Sequence, residues 1–151
     1  DSSSDGSGTA GSKGRRARYI KTGKKSALYD LCRAGKKRKK AKVPTKVKIG
    51  KKTYKVTGVS EFAFVNDKGL TGITIGRNVK SIGADAFSGC TNVKTLTIQS
   101  RLLTAEKVKN ALRGSSIETV IVPEGIEKTY TKLFAKGNSG RGKEVAVRSA
   151  R

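Results

Sequence analysis

The apolar residues of this 151-residue chain return at a fixed interval. Val56 is matched by Val79, Val59 by Ile82, Phe64 by Phe87, Leu70 by Val93, Ile73 by Leu96 and Ile75 by Ile98, each 23 residues on. A third copy at a spacing of 24 brings in Ile117, Val120 and Val122, with Ala111-Leu112 near the place of Ala86-Phe87; the extra residue fits a longer connecting segment. Within a unit, apolar residues alternate over a short run, as in Ile73-Thr-Ile75, which predicts a strand with one buried side. A turn follows, then a short helical turn carrying Ala63-Phe64 or Ala86-Phe87, whose aromatic plugs the interior. No unit of this size can bury its apolar side alone, so the units must stack and their ends need covers.

The flanks supply candidates for those covers. Residues 1–15 open with small polar residues, too poor in apolar surface to offset the entropy of ordering, and read as a disordered Gly/Ser linker. Arg18-Tyr19-Ile20 and Ala27-Leu28-Tyr29 flank a turn at Lys21–Lys24, and Val47-Lys-Ile49 and Tyr54-Lys-Val56 alternate about Gly50-Lys51-Lys52. Two hairpins are expected there, forming a basic β-rich cap over 16–56. Repeats then occupy 57–125 and a C-terminal cap 126–151. Thr104 precedes Ala105 to Leu112, whose apolar residues fall at helical spacing with Gly114 beyond, so a helix is expected. A second short helix is expected over Glu127–Lys136, a flexible loop over Gly137–Gly142 and a last strand at Glu144–Val147.

Leu70-Thr-Gly-Ile73-Thr-Ile75-Gly-Arg-Asn78 fits the leucine-rich-repeat consensus L-x-x-L-x-L-x-x-N. Val79-Lys-Ser-Ile82-Gly-Ala-Asp-Ala86-Phe87-Ser-Gly89-Cys90-Thr-Asn92-Val93, with its Ile-Gly, Ala-Phe and Gly-Cys pairs, resembles the BspA-type leucine-rich repeats of bacterial cell-surface proteins. The resemblance covers roughly residues 43 to 125. It implies an α/β fold leaning to β: a short leucine-rich-repeat solenoid of about three repeats, with an N-terminal β-hairpin cap and a C-terminal helix/strand cap. It also implies a secreted or wall-attached protein of gut or oral bacteria, and an adhesin-like role in holding host extracellular-matrix proteins.

Charge changes this picture by adding a pole. The chain carries 34 Lys and Arg against 11 Asp and Glu, for a net charge of +23. Residues 13–55 hold 19 of the basic residues and one acid, Asp30. Such a pole attracts polyanions and releases their counterions, whether nucleic acid, sulfated glycan or teichoic acid. Its densest piece is Lys36, Lys37, Arg38, Lys39 and Lys40, a run that also fits loose nuclear-localisation or heparin patterns. The plainer reading is that lysines keep a small sheet protein soluble and guard its edges. Nucleic acid is disfavoured, because Tyr19, Tyr29 and Tyr54 have the spacing of core-facing strand residues rather than of a stacking platform.

The repeat also defines a second surface. Residues between the inward apolar ones line the concave sheet: Gly72, Thr95 and Thr119 in one column, Thr74, Thr97 and Ile121 in the next. A flat, nearly uncharged face is expected, whose hydroxyls could bond a partner's backbone or a sugar; threonine is equally a favoured strand residue in its own right.

Catalysis has little to stand on. Histidine is absent, which removes Ser-His and Cys-His pairs and His-based metal centres. Two cysteines alone make no ordinary zinc site, and Cys32 and Cys90 read as buried thiols, a disulfide requiring a proximity that sequence cannot show. Glu124 and Glu127 read as helix-start acids. The Gly-rich Gly137-Asn-Ser-Gly140 lacks the P-loop Lys-Ser/Thr. No cofactor is expected. No apolar run is long enough to span a bilayer, and with no Met anywhere the chain reads as a processed mature fragment, extracellular or at the cell surface.

The chain is therefore expected to be a non-catalytic surface or secreted binding module, making a protein–protein or adhesion-type interaction with a host or envelope component, a protein or glycan such as host matrix, with the concave face as its candidate site. The alternatives are anchoring to an anionic wall polymer or sulfated glycan through the basic cap, and a capping module with no ligand of its own.

Overall fold

Ile73 and Ile75 turn one way and Gly72 and Thr74 the other, so residues 72–75 form a strand buried on one side, and the same alternation recurs at Thr95–Ile98 and Thr119–Val122. In the computed structural model, which describes residues 17–32, 39–65 and 68–150, these runs are the middle of a parallel sheet. The strands are β1 (Ala17–Lys21), β2 (Ser26–Cys32), β3 (Lys40–Val43), β4 (Lys46–Ile49), β5 (Lys52–Val59), β6 (Gly72–Ile75), β7 (Ser81–Ile82), β8 (Thr95–Ile98), β9 (Thr119–Val122) and β10 (Ala146–Ser149). A 3-10 turn at Glu106–Val108 precedes β9, and helices α1 (Glu127–Leu133) and α2 (Lys136–Ser139) precede β10.

The first sheet runs β3-β6-β8-β9-β10, every neighbour parallel. The three matched units supply β6, β8 and β9, and β3 and β10 add a rung at each end. The second sheet runs β1-β2-β5-β4, with β7 beside β5. The two hairpins that alternation predicts both form: β1 pairs antiparallel with β2, and Val47 faces Tyr54 across the β4–β5 pair. Gly50, at φ +64°, makes the tight turn between β4 and β5, where a side chain would be strained.

One continuous core joins both sheets. Aromatic rings run through it as a column: Tyr19 meets Tyr29 edge-on at 5.4 Å, Tyr29 stacks on Phe64 at 5.1 Å, and Phe64 lies 5.3 Å from Phe87. Tyr19, Tyr29 and Tyr54 are all buried, as their spacing predicts. Cys90 is buried as expected, and its Sγ donates to the Phe64 carbonyl of the preceding rung. The Cys32 side chain, the 1–15 linker and Lys36, Lys37 and Arg38 lie outside what is described.

Two local expectations need correction. Residues 105–112 are not an α-helix; a 3-10 turn over Glu106–Val108 runs into turns. The reason is the stack: the Asn110 and Leu112 amides donate to the Asn138 and Ser139 carbonyls of the next rung, and Asn110 sits at φ 60°. Those demands outrank helical spacing within one rung. Conversely, part of the expected Gly137–Gly142 loop is helical, because Asn138 Nδ2 donates to the Leu133 and Ala105 carbonyls and ties α2 down.

Candidate functional site

Parallel pairing in exact register turns the outward residues of the first sheet into straight rows. One row reads Lys40, Gly72, Thr95, Thr119, Ala146, and the next Lys42, Thr74, Thr97, Ile121, Arg148. The structure thus brings together Thr74, Thr95, Thr97, Thr119 and Ile121, all half-buried, on one surface. With strands about 4.8 Å apart, the five rungs make a face roughly 19 Å across.

The expectation of a nearly uncharged face holds at its centre and fails at its edges. Lys40 and Lys42 on β3 border one side and Arg148 on β10 the other, all exposed. Lys40 does more than border the face: a Cβ placed on Gly72 would meet its aliphatic stem at 3.8 Å, so the stem lies against that glycine. Lys39 acts through its backbone, its carbonyl accepting from the amide and the hydroxyl of Thr71. At the end where the strands begin, Lys94 and Glu118 form an exposed ion pair at 3.7 Å between adjacent rungs, a contact worth little in water.

Where the strands end, the face runs into a cleft of about 530 Å³ lined by Arg77, Thr97, Ile98, Leu102, Pro123 and their neighbours, with Arg101 beside them. Thr97 belongs to both row and cleft, so the two are one surface. Leu102 is 47% exposed, a large apolar side chain open to solvent, which is the kind of group a binding partner covers. Arg101 is held in place, its Nη2 donating to the Glu124 carbonyl at 3.1 Å, and among the described residues no carboxylate side chain lines the cleft beside it or Arg77. The cleft therefore offers an apolar floor and two cations.

The opposite side of the stack carries structural polar groups. Arg113 Nε and Nη2 each donate to Asp85 at 2.6 Å, and that bonded guanidinium holds the Asp85 carboxyl below the usual carboxylate range. Glu127 starts α1, and backbone amides, its own first and then that of Gly125, lower its carboxyl likewise. This is the helix-start role the sequence suggests for that residue. Among the described residues no group of three or more acids, cysteines or histidines is placed to hold a metal ion, and no helix is long and apolar enough to cross a membrane.

Sequence reasoning missed β3 as part of the face. The signal was present, because Lys40-Ala-Lys42-Val43 alternates with period 2, but it is submerged in the basic run. The cleft left no comparable trace, since Arg77, Arg101, Leu102 and Pro123 hold no common place in the repeat.

A profile described as BspA type leucine rich repeat region, of six copies, matches residues 43–141. No curated protein matches the chain. Among solved structures, a leucine rich cell surface protein of Faecalibacterium prausnitzii is similar at 19% identity and a TM-score of 0.55, covering 91% of this chain and 42% of that one. A leucine-rich repeat protein from Bacteroides capillosus gives 15% and 0.56, with 93% and 98% covered. The pneumococcal vaccine antigen PcpA gives 18% and 0.52, with 92% and 38% covered. These likenesses show the fold, and the chain spans less than half the length of the first and the last of the three.

Proposed function

From the premise that the chain belongs to the BspA-type leucine-rich-repeat family, we propose that it is a non-catalytic binding module, which holds an extended segment of a partner protein across its concave sheet. The observation that carries this reading is the continuity of the threonine rows with the arginine-flanked cleft. The rows present hydroxyls and small side chains to a partner's backbone, and the cleft takes an apolar side chain. Arg77 and Arg101 favour a neighbouring carboxylate, as do Lys40 and Lys42 at the far edge. A surface of this kind recognises shape and charge and has no group positioned for bond-making. Exposure at a bacterial surface, with host matrix protein as the partner, is the setting this reading fits.

The test is binding of the purified chain to immobilised matrix glycoproteins at about 0.15 M and 0.5 M salt, where the screening length differs severalfold. Retention at the higher salt supports a packed concave interface. A Thr74→Arg/Thr97→Arg double variant, which fills the rows while leaving the core untouched, should lose that binding. Equal binding by wild type and variant would sink the proposal.

A further inference from the structure

Burial of Val47, Ile49, Tyr54 and Val56 fixes which side of the β4–β5 hairpin faces the core. Every outward position is then set by alternation, and Lys46, Lys48 and Lys55 are exposed on one face with Thr53. Lys46 stands directly opposite Lys55, an arrangement of like charges that destabilises a strand pair. A one-residue slip would separate them only by turning Val47 and Tyr54 outward, so the pleat holds the charges together. None of the three forms an ion pair with an acidic side chain among the described residues. The hairpin's corner is pinned by the Thr45 carbonyl, which accepts from the Val56 amide and from Asn78 Nδ2 at 3.0 Å each. Immediately before that corner β3 carries Lys40 and Lys42, also exposed.

We infer that the exposed lysines of the β4–β5 hairpin, Lys46, Lys48 and Lys55, form a binding site for a linear glycan bearing closely spaced sulfate or phosphate groups. Lys46 and Lys55 leave the backbone about 5 Å apart across the strands, and Lys46 and Lys48 about 7 Å apart along one, so the pleat fixes the attachment points of three ammonium groups on one face. An oxyanion between Lys46 and Lys55 converts their mutual repulsion into attraction to a shared ligand. Among the described residues the face carries no arginine fork for bidentate base recognition. It offers no aromatic platform for bases either, because Tyr54 is buried with the Lys21 ammonium over its ring at 5.7 Å. The proposal is independent of the concave site, which lies on the other sheet.

The experiment compares the full chain with a Lys46→Gln/Lys48→Gln/Lys55→Gln variant and with Lys128→Gln/Lys132→Gln/Lys136→Gln, which removes equal charge from the α1–α2 side. Affinities are measured against heparin-type sulfated glycan, its desulfated form, a polyol-phosphate wall polymer and single-stranded DNA. The hairpin variant should lose about tenfold or more in affinity at about 0.15 M salt and lower the slope of log K against log [salt] by about 2, while the helix variant changes by less than about twofold. Binding in the sulfated arm, the phosphate arm or both supports the site and names the source. Equal losses in the two variants, binding to neither polymer, or equal affinity for DNA would overturn it. Thermal midpoints guard against unfolding: the hairpin variant should melt no lower than wild type, since it removes a repulsive pair.

Discussion

The spacing between rungs should be measurable through one glycine. Gly83 follows β7, and its amide donates to the Val59 carbonyl of the neighbouring rung at 2.8 Å. A methyl group placed there would sit 2.4 Å from the Glu61 nitrogen and 2.8 Å from the Glu61 Cα and the Ser60 carbonyl carbon. All three are backbone atoms, which cannot swing aside as a side-chain end can. The rungs must part by about 1 Å to restore ordinary contact, and overpacking of that kind costs about 1–3 kcal/mol. Against it stands the smaller entropy of an unfolded chain with Ala in place of Gly, which favours the variant by about 0.4–1 kcal/mol. Gly83→Ala should therefore destabilise by about 1–2 kcal/mol, or lower the thermal midpoint by about 3–8 °C. Gly137→Ala supplies the opposite sign. That position lies in α2 with nothing within 4 Å of the added methyl, so only the entropy term remains and the midpoint should rise by about 1–4 °C. Calorimetry or circular-dichroism melts of both variants decide the matter. A neutral or stabilising Gly83→Ala would show that the rungs do not approach as described.

Phe62 occupies the left-handed region at φ 60° and is 46% exposed, while Asp85 and Asn110 hold the same conformation one and two rungs on. Phe62→Asn should then stabilise by about 0.5–1 kcal/mol, and an unchanged or lower midpoint would contradict it. The buried Tyr130 hydroxyl donates to the Ser100 carbonyl at 2.7 Å and accepts from the Leu103 amide at 3.2 Å, so Tyr130→Phe should cost about 1–3 kcal/mol in urea unfolding. Because Asp85 has its pKa lowered on folding, its pairing with Arg113 stabilises fully above the ordinary carboxylate range and fades as pH falls through the folded value. Arg113→Gln should flatten that part of the acid slope and raise the Asp85 pKa in a carbon-13 titration; an unmoved Asp85 resonance would refute the assignment.

The solenoid was legible because burial repeats with the fold. Six apolar pairs at an interval of 23 record which side of each rung faces inward, and the third unit survived one inserted residue because Ile117, Val120 and Val122 keep the strand pattern. Asn78 was legible for the same reason: the closing residue of the consensus spends its side chain on the Thr45 carbonyl of the rung before. The convex side was less readable. Helical spacing at Ala105–Leu112 is a local signal, whereas the amides of Asn110 and Leu112 answer to Asn138 and Ser139, roughly 28 residues away. Propensity yields when a distant backbone already claims the hydrogen bond.

The candidate sites divide along the same line, and the division explains why the two surfaces should behave differently. Thr74, Thr95, Thr97 and Thr119 could be placed by counting, since each is fixed by its apolar neighbours, and their rows need nothing but register. Charge obeys no such rule: a lysine fits any outward position, so the sequence shows how many there are and hides which of them share a plane. Only the pairing of β4 with β5 sets Lys46 against Lys55, and only that of β3 with β6 carries Lys40 and Lys42 to the rim of the threonine rows. A partner seated on the rows gains mainly from shape and buried area, which salt hardly screens, whereas one seated on the lysine face gains from charge, which salt screens strongly. One titration with salt should therefore separate the two surfaces, with loss of anionic glycan binding at a concentration where protein binding persists. Parallel loss of both would mean that the cations at the rim, rather than the rows between them, hold the protein partner.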